Sequence, residues 1–179
     1  MQSVTVNNLV FDEYLSKEEI ATLVAHVAER INTDYAGREP LFVCVLNGAF
    51  MYASDLLKHI TLPAEITFVR LKSYEGTATT GKVNMLIPLQ VPIQDRDIII
   101  VEDIVDTGLT LEYLMANLQS RGAASLEICC LLNKPCNRKA DIHPKYVGFE
   151  VGDDFVIGYG LDYNELYRNL PYIGVFRKQ

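Results

Sequence analysis

Residues 97–110, Asp-Ile-Ile-Ile-Val-Glu-Asp-Ile-Val-Asp-Thr-Gly-Leu-Thr, concentrate the side chains able to do chemistry. Ile98, Ile99, Ile100 and Val101 form a β-branched apolar run, which reads as a strand buried on both faces, the usual state in a parallel sheet. Glu102 and Asp103 follow at its carboxyl end, and Asp106, Thr107, Gly108 and Thr110 lead into a helical pattern of Leu111, Leu114, Met115 and Leu118. Open α/β sheets place ligands at the carboxyl ends of strands, where these polar residues fall. A short loop entering a helix aims unpaired N–H groups and the positive end of the helix dipole outward, an arrangement suited to phosphate. Gly108 lets the backbone approach closely, and Thr107 and Thr110 add hydroxyl donors. The acidic pair suits ribose hydroxyls or a hydrated Mg²⁺, which takes oxygen ligands. Together these groups describe a sugar-phosphate site with a metal. A lone Asp-Thr-Gly reads as an ordinary helix-capping loop; the acidic pair and loop after a buried strand do not. The chain has no Gly-x-x-x-x-Gly-Lys-Ser/Thr segment and no Gly-x-Gly-x-x-Gly turn, which argues against a P-loop nucleotidase and a dinucleotide fold.

The flanking segments supply a frame for that loop. Ser16-Lys17-Glu18-Glu19 fits a capping box, followed by Ile20, Leu23, Val24, Val27, Ala28 and Ile31 at helical spacing. Leu41 to Leu46 reads as a buried strand leading through Asn47-Gly48 into a helix at Ala49–Lys58. Ile66 to Leu71 and Leu126 to Leu132 are further strands, Leu111 to Gln119 is a helix, and Tyr146 to Val151, Phe155 to Tyr159 and Ile173 to Phe176 are shorter strand candidates. Residues 73–84, with Gly76, Gly81 and three threonines, read as a mobile loop. Strands alternating with helices imply an α/β fold, a parallel sheet flanked by helices. At 179 residues, one domain spanning 1–179 is expected.

Composition narrows the partners. Apolar residues make up 49% and charged residues 22%, an ordinary globular mix, and the net charge is −7 with no basic stripe, which argues against nucleic-acid binding. Cys44, Cys129 and Cys130 lie in apolar runs and read as small buried hydrophobes; with Cys136 they show no zinc-type pairing. No apolar run is long enough to cross a bilayer, and Met1 to Phe11 lacks the pattern of a signal peptide, so a cytoplasmic protein without a membrane partner is expected.

Segment 97–110 resembles the phosphoribosyl pyrophosphate signature of the type I phosphoribosyltransferases, and most of the chain resembles their hypoxanthine–guanine branch. The matching motifs are Leu46-Asn47-Gly48, Lys72-Ser73-Tyr74, Leu131-Leu132-Asn133-Lys134, and the stretch from Gly148-Phe149 through Asp162-Tyr163-Asn164-Glu165 to Arg168. The resemblance implies a sheet core with a small hood from about residue 135 onward. It also implies displacement of pyrophosphate from phosphoribosyl pyrophosphate by a purine nitrogen, with Mg²⁺, giving IMP or GMP from hypoxanthine or guanine.

Site residues carried over by that resemblance are these. Asp106 is the general base, and Thr107, Gly108, Leu109 and Thr110 complete the 5′-phosphate cradle. Relatives often carry a polar residue at the position of Leu109. Glu102 and Asp103 bind the ribose hydroxyls, directly or through metal-bound water. Lys134 donates to the purine 6-oxo group, which favours hypoxanthine and guanine over adenine because mismatched polar groups in a closed site are costly. Phe155 stacks on the base, Val156 reads its edge through backbone groups, Asp162 is a magnesium ligand near the pyrophosphate that is also counted with the base-binding residues, and Arg168 faces the pyrophosphate. Asn47 and Gly48 form the pyrophosphate loop, whose peptide can be cis in relatives; many of these carry Lys or Arg in place of Asn47. Ser73 and Tyr74 lie at the tip of a closing loop, with Arg70 and Lys72 just before it. The family associates as homodimers or homotetramers. A xanthine-preferring transferase and a non-catalytic sensor of phosphoribosyl pyrophosphate are the alternatives.

Overall fold

The structure, a computed structural model, describes residues 3–6, 9–73 and 83–176. Six strands form the central sheet: β3 (Leu41–Leu46), β4 (Glu65–Ser73), β5 (Val83–Ile87), β6 (Asp97–Val105), β7 (Ser125–Asn133) and β8 (Tyr146–Glu150). Their order is β5-β4-β3-β6-β7-β8, parallel except for the antiparallel edge strand β5. The apolar runs are buried on both faces, as side chains alternating across a strand require. Phe42, Cys44, Ile99, Val101, Cys129 and Leu131 join one core layer; Leu41, Val43, Val45, Ile98, Ile100, Ile128 and Cys130 join the other. Helices α1 (Lys17–Asp34) and α2 (Phe50–His59) cover the first face, and α3 (Leu109–Ser120) covers the second. Burying each large aliphatic side chain contributes roughly 1.5–3 kcal/mol, so Ile98–Val101 anchors the strand whose polar end carries the acidic pair. The capping box forms: the Ser16 hydroxyl accepts from Glu19 N, and the Glu19 carboxylate accepts from Ser16 N.

The strand order creates a crevice. From β3 the chain continues to β4 on one side, while β6 joins β3 on the other, so the β3–β6 boundary is a topological switch point. The ladder between them stops at Cys44 opposite Val101. Beyond it β3 follows β4 as far as Leu46 opposite Arg70, and β6 follows β7 as far as Val105 opposite Asn133. The two strands therefore part between Leu46 and Glu102. Glu102 and Asp103 do not lie past the end of a strand, as the apolar run suggests. They lie within β6, because β7 keeps supplying ladder partners after β3 has turned away.

A second, antiparallel sheet in the order β1-β2-β10-β9 is built from both ends of the described chain: β1 (Ser3–Val6), β2 (Leu9–Leu15), β9 (Val156–Ile157) and β10 (Ile173–Phe176). The hood expected from about residue 135 onward is thus extended by the two N-terminal strands. β8 belongs to the central sheet, and the N-terminal hairpin completes the hood because Val6 and Phe11 bury themselves against Ile157. The expected loop at 73–84 is also shorter: Ser73 pairs with Val83 and Lys72 with Asn84, extending the β4–β5 ladder. Tyr74 and the rest of 74–82 lie outside the described residues. Among the described residues no helix is long and apolar enough to cross a membrane.

Candidate active site

Between β6 and α3 the chain makes the expected loop. Gly108 caps α3 in the left-handed region, φ +81°, a conformation that costs a side-chain-bearing residue and comes freely to glycine. Glu102, Asp106, Thr107, Gly108 and Thr110 line a cavity of about 110 Å3 there. One oxygen of Asp106, Oδ1, is buried with no hydrogen-bond partner among the described residues. An unsatisfied buried acceptor costs about 1–3 kcal/mol, so a donor that reaches this atom from a ligand is favoured by that amount. The Leu109 side chain is exposed, away from any role that needs it buried.

Glu102 and Asp103 face the crevice. Both residues are partly exposed, yet the protein packed around their carboxyls is dense. Burial, reinforced by Asp103, holds the Glu102 carboxyl well above the usual carboxylate range. Burial pushes Asp103 up to about 6, with Asp162 adding to the rise and the Ile104 N–H (2.9 Å) and Arg168 opposing it. Two neighbouring oxygen-rich groups that repel each other suit a hydroxyl-bearing or cationic ligand. Gly48 lies directly against them: a Cβ on Gly48 would overlap the Asp103 carboxylate. The Leu46–Asn47 peptide is cis.

The segment after β9 closes the crevice from above. Gly158, Tyr159, Gly160, Asn164, Glu165 and Tyr167 all have positive φ, a concentration of left-handed backbone typical of functional loops. Gly160 packs on Gly48, and a Cβ there would overlap the Gly48 carbonyl oxygen. Arg168 is held by the Gly160 carbonyl (2.8 Å), Glu165 (2.9 Å) and Asp162 (3.0 Å), while Asp162 also accepts from Glu165 N at 2.8 Å. Arg168 and Asn47 line a cavity of about 280 Å3 together with Arg70, Lys72 and Glu165. Arg70 and Lys72 thus bring positive charge to the cavity that Asn47 lines. Ser73, the last residue of β4, follows them.

On the other side of the phosphate loop, β7 ends at Asn133 and Lys134 turns back. Its N–H donates to the Val105 carbonyl at 2.9 Å, tying it to the β6 end. Lys134 is only 8% exposed; its Nζ donates to the Asp154 carbonyl at 3.1 Å and lies 3.4 Å from the Asp153 carboxylate. Phe155 follows at once and is 49% exposed, edge-on to Tyr163 at 6.0 Å, so it is a rim aromatic rather than a core residue. Val156 is buried in β9, the outer strand of the hood sheet. Phe176 N donates to the Phe155 carbonyl, which makes Val156 and Val175 the non-hydrogen-bonded pair. The N–H and C=O of Val156 therefore point off the free edge.

Sequence reasoning passed over two residues here. Arg138 donates to the backbone of the phosphate loop, and nothing in its polar surroundings announces it. Tyr159 donates to Asp55 of α2 at 2.7 Å, fastening the Gly158–Gly160 turn to the sheet side of the molecule. The Asp162 carboxylate meets Arg168 and Glu165 N at the crevice, with its charge felt by Asp103.

Carboxylates within β6, an anion-type loop and a hood meet at the switch point, an arrangement suited to a phosphorylated ligand that carries hydroxyl groups. The family model described as "Phosphoribosyl transferase domain" matches residues 10–164, and the chain belongs to that family. It is similar to the hypoxanthine-guanine phosphoribosyltransferase of Bacillus subtilis strain 168, 46% identical over 91% of each chain. It is also similar to that of Staphylococcus aureus strain Mu50, 43% identical over 97% of this chain and 98% of the relative. The crystal structure of a hypoxanthine phosphoribosyltransferase from Staphylococcus aureus superposes with a TM-score of 0.89 at 45% identity, covering 93% of this chain and 91% of that one.

Proposed function

We propose that the protein is a purine-salvage enzyme that transfers the 5-phosphoribosyl group from phosphoribosyl pyrophosphate to N9 of hypoxanthine or guanine, giving IMP or GMP and pyrophosphate. The observation that carries this reading is the unpartnered Asp106 Oδ1 at the mouth of an anion-type loop, flanked by the Glu102–Asp103 pair. As N9 attacks the anomeric carbon, Asp106 accepts the proton leaving N7. The 106–110 loop holds the 5′-phosphate. Asn47, Gly48, Arg70, Lys72 and Arg168 surround the departing pyrophosphate and stabilise its growing charge. Lys134 donates to the 6-oxo group, the outward-facing backbone of Val156 meets the base edge, and Phe155 stacks on the ring. Ser73 and Tyr74 belong to the segment that keeps water from the reacting carbon.

Glu102, Asp103 and Asp162 fit Mg²⁺. Mg²⁺ is commonly held by one or two carboxylates with substrate oxygens and water completing its shell; among the described residues no three His, Cys, Asp or Glu side chains converge as a cage. Bound there, the ion would neutralise charge developing on the pyrophosphate. Stripping the enzyme with EDTA should lower turnover to less than about a tenth, restored by added Mg²⁺; full metal-free turnover would remove the ion from the reading.

The exposed Phe68, Leu86 and Ile87 on β4 and β5 supply apolar surface for a homodimer or homotetramer. The test of function is a spectrophotometric assay with phosphoribosyl pyrophosphate, Mg²⁺ and each of hypoxanthine, guanine, xanthine and adenine. Turnover of the first two and not adenine is expected; tight binding of phosphoribosyl pyrophosphate with no turnover would make the protein a sensor instead. Lys134→Gln should cut the preference for hypoxanthine over adenine by about 10–100-fold, the equivalent of the roughly 1.5–3 kcal/mol in a charge-assisted hydrogen bond. An unchanged preference would remove Lys134 from base reading.

A further inference from the structure

We infer that Arg138 is a positioning residue that sets the phosphate loop in its binding shape and aims Asp106, an inference that rests on the transferase reading above. Its guanidinium makes four hydrogen bonds. Nε donates to the Asp106 carbonyl at 3.0 Å, one terminal nitrogen to the Ile142 carbonyl, and the other to the Val105 carbonyl at 3.2 Å and the Asn133 side-chain oxygen at 2.6 Å. The same segment holds the next carbonyl: Lys139 N and Ala140 N donate to Thr107 O at 2.9 and 3.1 Å. Three consecutive carbonyls, those of Val105, Asp106 and Thr107, are therefore drawn to one side by residues 134–140.

The consequence follows from the peptide plane. In a trans peptide the C=O and the following N–H point in opposite directions, and none of these peptides is cis. The N–H groups of Asp106, Thr107 and Gly108 are turned away from Arg138, toward the side a phosphate occupies. None of the three donates to a backbone carbonyl in a turn or loop bond among the described residues. Successive N–H groups converging in this way make an anion-binding nest.

Charge adds to shape. Every acceptor of Arg138 is an uncharged oxygen, so these bonds leave its positive charge uncancelled beneath the loop. Its stem also lies under Gly108, where a Cβ would come 3.0 Å from Arg138 Cδ. Lysine keeps the charge but is a point donor on a flexible stem, and it does not span four acceptors as the planar fork does.

Kinetics and calorimetry on purified Arg138→Gln and Arg138→Lys separate positioning from folding. Arg138→Gln is expected to lower kcat by about 10²-fold and to raise the KM for phosphoribosyl pyrophosphate and the Kd for IMP roughly tenfold, with the KM for hypoxanthine within about threefold of wild type. The base subsite is expected to escape because the Lys134 Nζ that would meet the base is held by Asp153 and Asp154, not by Arg138. Arg138→Lys should recover the affinities in part and kcat hardly at all. A merely structural residue would lower Tm and leave the constants of the folded fraction unchanged, and constants within twofold of wild type overturn the inference. If the glutamine variant does not fold, the lysine variant carries the same comparison. If wild type turns over no purine but Arg138→Gln still weakens phosphoribosyl pyrophosphate binding, the transferase reading fails and the role of Arg138 stands.

Discussion

Replacing Asp106 by alanine lowers kcat for IMP formation by about 10²–10⁴-fold, the range that a positioned acid–base group contributes. Binding of phosphoribosyl pyrophosphate should change little, because the proposed cradle uses backbone N–H groups and threonine hydroxyls that the substitution leaves in place. Stability moves the other way. Oδ1 is a buried acceptor with no partner among the described residues, and removing such a group recovers part of an unsatisfied-acceptor cost of about 1–3 kcal/mol. Thermal unfolding should therefore show Tm unchanged or raised by a few degrees, about 2–4 °C per kcal/mol for a chain of this size. Asp106→Asn keeps the shape and loses the base, so it should resemble the alanine variant in kcat. Loss of activity together with loss of Tm would mean that Asp106 holds the loop together and does not act on substrate. Unchanged turnover would remove it as the base.

Gly160→Ala is the second large effect, and it acts through backbone. At φ +100° any Cβ is strained, and here it would also be driven into the carbonyl oxygen of Gly48. That carbonyl belongs to a turn wedged between Asp103 and the 158–160 segment, with no flexible side-chain tip to give way. Backbone strain of this kind costs of order 1–3 kcal/mol, so Tm should fall by roughly 2–12 °C. Activity should fall further than stability alone explains, by about 10²-fold, because displacing reactive groups by an ångström has that consequence. Gly37→Ala is the control: its φ is also positive, +78°, but a Cβ there meets nothing within 4 Å. It should show the conformational cost alone, with kcat unchanged. Equal effects of the two substitutions would mean that the Gly48–Gly160 contact does not matter.

Much of the site was legible in the chain because it is local. The β-branched run, the acidic pair and the Asp-Thr-Gly turn lie within fourteen consecutive residues, and period-two and period-3.6 patterns mark the strand and helix around them. The capping box at Ser16 and the three apolar cysteines were legible for the same reason: each depends on near neighbours or on burial that apolar surroundings announce. The hood was read incompletely. The hairpin at Ser3–Leu15 is short, and only its pairing with β10, more than 150 residues away, makes it part of a sheet. The strand end at Glu102–Asp103 was misjudged because polar residues interrupt an apolar run, whereas the ladder with β7 takes no account of side-chain type.

The sequence alone determined which side chains are present and which local backbone states they favour: a buried strand, an anion-type loop, a helix behind it, and the order of motifs along the chain. Tertiary structure decided where β3 and β6 part to open the crevice, that Gly48 is wedged between Asp103 and Gly160, that Val156 turns its backbone to a free edge, and that Arg138 holds three carbonyls in line. The physical reason is that these features are made by main-chain groups. Every residue carries the same C=O and every residue but proline the same N–H, so residue identity does not encode which of them will be met, or by what. Only the path of the chain in space assigns their partners.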